Sequence, residues 1–83
     1  MLYRVIVPKK VRRGLAKIDN RYRQRILAVL TILANEPYRG KQLRGGHAGE
    51  WSYRVWPYRI LYRIKKQELI VLVVPIGHQQ RIY

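Results

Sequence analysis

Residues 51–83 read WSYRVW-PYRILYRI-KKQ-ELIVLVVPIGH-QQRIY, and this stretch decides the fold. Residues 51–56 set Trp51, Tyr53 and Val55 against Ser52, Arg54 and Trp56, the period-two pattern of a half-buried strand. Pro57 marks a tight turn. Residues 58–64 then set Tyr58, Ile60, Tyr62 and Ile64 against Arg59, Leu61 and Arg63. After the polar turn Lys65-Lys66-Gln67, residues 69–76 are apolar on both faces, which predicts the central strand of a sheet. Three strands with no helix between them pair as antiparallel neighbours.

Residues 3–7 are β-rich and end at Pro8, a short first strand. Val11, Leu15 and Ile18 then recur at helical spacing, and the other face of that helix holds Lys9, Lys10, Arg12, Arg13 and Lys17. Gly14 weakens it by about 1 kcal/mol relative to alanine, so it depends on packing. Asp19 or Asn20 caps a second helix, whose stripe of Tyr22, Ile26, Val29, Leu30 and Leu33 runs to Asn35, ahead of Pro37. Leu27 and Ile32 broaden its apolar face. Residues 36–50 form a loop with four glycines and the cations Arg39, Lys41 and Arg44. The expectation is one α+β domain over residues 1–83, in the order β-α-α-β-β-β. Two N-terminal helices pack on one face of a small, mainly antiparallel four-stranded sheet.

Eighteen Lys and Arg face four acids, a net charge of +14, and twelve of the eighteen are Arg. Such a chain takes polyanions as partners, and arginine suits bidentate phosphate contact and base stacking. With no Cys and only His47 and His78, a zinc site built by the protein is not expected, nor is any cofactor. The longest apolar run, residues 69–76, is far too short to cross a bilayer, and residues 1–10 lack a signal-peptide pattern. The sequence predicts a cytoplasmic protein with no membrane partner.

The alternation brings Arg54 and Arg59 together on the sheet face away from the helices, a clamp for a phosphate. A single strand arginine equally serves as a solubilising group; the pair with the basic tail favours the clamp. Gly77 permits a turn that returns His78, Arg81 and Tyr83 over the same face, the alternative being a lone surface histidine and a frayed terminus. A His, a Tyr and three Arg around one phosphate equip a site for RNA cleavage without metal. The ribose 2′-OH attacks, Arg stabilises the phosphorane charge, and His or Tyr moves protons. Lys41, Arg44 and Arg63 extend the basic surface for RNA.

The segments YRVIVPKKVRRGLAKI, ILANEP, KQLRG, YRVWPYRILYRI and VVPIGHQQRIY, in this order and spacing, resemble the RelE/ParE superfamily of type II toxins, in its RelE-like branch. The resemblance implies the α+β fold expected above. It also implies a ribosome-dependent endoribonuclease that inhibits translation by cutting mRNA in the A site without metal. The partners implied are mRNA, ribosomal RNA and a cognate antitoxin, whose acidic segment wraps the basic toxin in a hetero-oligomer. Arg54 and Arg59 match the family's basic strand residues, Tyr83 its C-terminal catalytic tyrosine, and His78 a commonly basic position. Gln79 stands where the family often has arginine, with Arg81 two residues on. The antitoxin is expected on Lys9, Lys10, Arg12 and Arg13, the apolar side of the second helix and the groove beside the sheet. ParE-like members share the fold and inhibit DNA gyrase without cutting RNA. A third possibility is an RNA- or ribosome-binding module with little turnover.

Overall fold

The computed structural model describes residues 2–78. Strand β1 (Arg4–Ile6) stops ahead of Pro8, after which α1 (Lys9–Ala16) begins. Leu15 is its buried anchor, and Lys9, Lys10, Arg12 and Arg13 are exposed. Helix α2 (Asn20–Asn35) is capped by Asp19, whose carboxylate accepts the Arg21 backbone N–H at 2.9 Å. Arg23 reaches back from α2 and donates to the carbonyls of Ala16 and Ile18, both at 3.2 Å, which satisfies groups the end of α1 would otherwise leave open. Ile26, Leu30 and Leu33 of α2 are buried against the sheet. Leu27, placed by its sequence on the broadened apolar face, is 43% exposed.

The loop after α2 forms a single turn at Pro37–Arg39 and a two-residue strand β2 (Lys41–Gln42). β3 (Trp51–Val55) and β4 (Tyr58–Lys65) make a hairpin across Trp56 and Pro57, and β5 (Ile70–His78) completes the sheet. The strand order is β1-β5-β4-β3-β2. β1 runs parallel to β5, with Val5 opposite Val71, and every other pairing is antiparallel. The α+β architecture is as expected from the sequence, with a fifth strand added at one edge by the glycine-rich loop. β5 is interior, paired on both sides, but β4 takes the middle position.

One irregularity sets which side chains share a face. Ile60 pairs with Ile76 and Tyr62 with Val73, so Leu61 stands opposite two residues, Val74 and Pro75. This is a β-bulge, and it accommodates a proline that cannot donate to the ladder. Beyond it the alternation of β5 is inverted. Val71 and Val73 face the core before the bulge, and Ile76 faces it after. The core is formed on the helix side by these residues with Leu15, Ile26, Leu33, Val55, Ile60 and Tyr62.

Candidate functional site

Arg54 and Arg59 are direct partners across the β3–β4 hairpin. Their neighbours Val55 and Ile60 point into the core, so both arginines lie on the face that carries no helix. Lys41 of β2 pairs with Ser52 of β3, and this places it on that face too. Lys41, Leu43, Ser52, Arg54 and Arg59 line one concavity of about 170 Å³. Arg54 is exposed, Arg59 is half-buried with its Nε shielded from solvent, and Ser52 is buried at the floor. None of the five is acidic. Three of the chain's acids are engaged elsewhere: Asp19 with Arg21 at 3.3 Å, Glu36 with Arg39 at 3.1 Å and Glu50 with Arg63 at 3.3 Å. Like charges directly opposed on a sheet destabilise it, so this arrangement is one that an anion relieves. Two guanidiniums, an ammonium and a hydroxyl around one small space suit a phosphodiester and the negative charge that develops on it.

Behind the concavity lies a buried phenol. Tyr62, fully buried in β4, donates from its hydroxyl to the Pro37 carbonyl at 2.8 Å and accepts from the Gly40 N–H at 3.1 Å. Burial is the main cause that pushes its pKa up to about 12, so the hydroxyl keeps its proton at any physiological pH.

A profile described as the ParE toxin of the type II toxin–antitoxin system parDE matches residues 5–83. The chain belongs to the ParE toxin family. Over its whole length this ParE-family chain is 37% identical to Toxin RelG of Mycobacterium tuberculosis, of which it covers 98%. Its fold superposes on the RelBE2 toxin–antitoxin complex of M. tuberculosis with a TM-score of 0.86 and 34% identity, over 94% of this chain and 92% of the other. The RelE–RelB complex of Pyrococcus horikoshii gives 0.84 at 24% identity, over 98% and 99% of the two chains, a likeness of fold. These findings place the chain in the RelE/ParE superfamily of type II toxins.

Within the ParE-family frame, the residues expected to act together separate into groups. Arg54, Arg59 and Lys41 converge. Arg44 lines an adjoining concavity of about 560 Å³ with Lys41, Gln42 and Leu43. Arg63 shares the open face, but its charge is met by Glu50. The turn expected at Gly77 is absent: β5 continues to His78, with Gly77 opposite Arg59 and His78 opposite Tyr58. The bulge at Pro75 moves His78 to the helix side, where its ring meets Tyr58 edge-on at 6.1 Å and Tyr58 in turn meets Tyr22 at 5.8 Å. His78 therefore lies across the sheet from Arg54 and Arg59. Gln79, Arg81 and Tyr83 lie outside the described residues. Ser52 and Tyr62 went unassigned by sequence. Ser52 had a legible signal, two residues from Arg54 on one strand and so on the same face, whereas nothing in the sequence marks the long reach of the Tyr62 hydroxyl.

Among the described residues no three His, Cys, Asp or Glu side chains gather in one place, and no helix is long and apolar enough to cross a membrane.

Proposed function

We propose that this type II toxin is an endoribonuclease that cleaves mRNA in the ribosomal A site and so inhibits translation in the cytoplasm. The observation that carries the reading is the convergence of Lys41, Arg54 and Arg59 around Ser52 on the open sheet face. In the proposed reaction the ribose 2′-OH attacks the adjacent phosphorus and the P–O5′ bond breaks. The products are a 2′,3′-cyclic phosphate and a free 5′-OH. Arg54 and Arg59 hold the non-bridging oxygens, Lys41 adds to the charge that stabilises the phosphorane, and no metal is required for these roles. Tyr83 is proposed to take the 2′-OH proton and return one to the leaving 5′ oxygen, and Arg81 to add positive charge beside it. His78 keeps a place in the proposal only if the RNA or the C-terminal segment engages the helix side of the strand end. The charge of +14 favours ribosomal RNA as the docking surface, and Arg44 and Arg63 extend the contact to RNA.

The proposed partner in the inactive state is a cognate antitoxin with an acidic segment, as the toxin–antitoxin complexes of the relatives support. Lys9, Lys10, Arg12 and Arg13 offer it four exposed cations on α1, and exposed Leu27 offers an apolar contact on α2.

A second reading, inhibition of DNA gyrase by binding alone, is favoured by the ParE description of the matched family and by the position of His78. Two assays on one preparation separate them: integrity of mRNA on programmed ribosomes, and DNA supercoiling by gyrase. Cut mRNA with unimpaired supercoiling upholds the first reading. Intact mRNA with blocked supercoiling replaces it with the second.

A further inference from the structure

Strand β2 is two residues long, and so short a pairing does not fix a strand to a sheet by itself. Lys41, its first residue, nevertheless enters the concavity beside Arg54 and Arg59. The fastening comes from the other face. Tyr62 pairs with Trp51, and Trp51 with Gln42, so these three form a row across the helix side of the sheet. From the end of that row the Tyr62 hydroxyl crosses the sequence by 22 and 25 residues to grip the Gly40 N–H and the Pro37 carbonyl. Trp51 adds an edge-on contact to Tyr38 at 5.4 Å, within the same turn. Gly40 is packed so closely that a Cβ there would collide with the Tyr62 hydroxyl and lie 2.7 Å from the Ser52 carbonyl oxygen. The turn is thus clamped between a buried phenol and the backbone of β3, and the next residue in the chain is Lys41.

We propose that Tyr62 is a positioning residue for the cationic site: by gripping Pro37 and Gly40 it sets where Lys41 enters beside Arg54 and Arg59. A lysine stem is flexible, so the location of its ammonium depends on how firmly its backbone is held. The inference rests on the reading of that concavity as a phosphate site.

The experiment is a double-variant cycle of Tyr62→Phe and Lys41→Ala. Two readouts are used: mRNA cleavage on programmed ribosomes, and anisotropy of a fluorescein-labelled single-stranded RNA titrated across a salt series. Tyr62→Phe is expected to lower the cleavage rate about tenfold, as removal of one stabilising interaction does. It is also expected to flatten the salt dependence of RNA binding by about 0.7, the slope of one phosphate contact on a single strand. In the Lys41→Ala background it should do neither. Gly40→Ala, which disturbs the turn from the opposite side, should follow the same pattern. Ile60→Val, a core change on the same strand away from the turn, should lower thermal stability and leave cleavage and slope unchanged.

Effects that multiply in the double variant would overturn the inference, as would a Tyr62→Phe protein with wild-type rate and slope. Uncut mRNA with the wild type would defeat the proposed function alone, because the binding slopes still decide the role of Tyr62. Wild-type slope and cleavage in Lys41→Ala would remove Lys41 from the site, and the inference with it.

Discussion

Glycine-to-alanine substitution should have opposite signs at Gly14 and Gly40, and the structure gives the sizes. Gly40 has φ −74° and ψ −173°, backbone that alanine adopts without strain, so any cost there is steric. The added Cβ meets the Tyr62 hydroxyl and comes within 2.7 Å of the Ser52 carbonyl oxygen. The carbonyl belongs to a strand paired on both sides and yields little. Overpacking of this kind costs about 1–3 kcal/mol, and displacing the Tyr62 hydroxyl loses roughly 1 kcal/mol more. The sum, about 2–4 kcal/mol, is a large part of the stability of a small domain and lowers Tm by roughly 10–25 °C. At Gly14, on exposed α1, an added Cβ meets nothing within 4 Å. Alanine there removes unfolded-state freedom and stabilises by about 0.5–1 kcal/mol, a rise of roughly 2–6 °C. Thermal melts and urea unfolding of the free toxin test both. A Gly40→Ala protein within about 2 °C of wild type would refute the clamped turn, since such a shift corresponds to under about 0.5 kcal/mol.

Arg54→Ala should unfold at the same urea concentration as wild type or slightly higher, because it relieves an opposed like-charge pair worth about 0.2–1 kcal/mol, while growth arrest by the expressed toxin weakens. Asp19 has its pKa held below the usual carboxylate range, first by the hydrogen bond from the Arg21 backbone N–H. Its contribution is present above about pH 4 and lost as pH falls through the lowered native value, so urea midpoints of Asp19→Ala and wild type should differ at neutrality and converge in acid. Tyr62 is raised to about 12, so its neutral form is favoured by folding and that stability fades between about pH 10 and 12. Phenolate absorbance of the wild type should show a late ionisation step that Tyr62→Phe lacks.

The helices, β3 and β4 were legible because their periods are regular, and β5 because its run of residues 69–76 is apolar on both faces. Asp19 capped α2, Asn35 ended it, and the Arg54/Arg59 pair followed from alternation across a short hairpin. A turn at Gly77 would return His78 to the open face, but β5 runs straight on to His78, and the bulge that Pro75 brings to this interior strand inverts the positions after it, which sets His78 on the helix side. Pro75 was the available signal. β2 was hidden because its two residues are held by the tertiary reach of Tyr62 rather than by local pattern. Leu27 turned outward because the apolar face of α2 is wider than the surface the sheet offers it.

The central claim, that the open cationic face performs chemistry on RNA, is tested most directly by mapping mRNA ends after incubating the toxin with programmed ribosomes. Wild type, Arg59→Ala and Tyr83→Phe should be compared as folded proteins. Cuts inside the A-site codon with 2′,3′-cyclic phosphate ends are expected from the wild type, strongly reduced in both variants. Equal cutting by wild type and Arg59→Ala, or intact mRNA with active wild-type toxin, would contradict it.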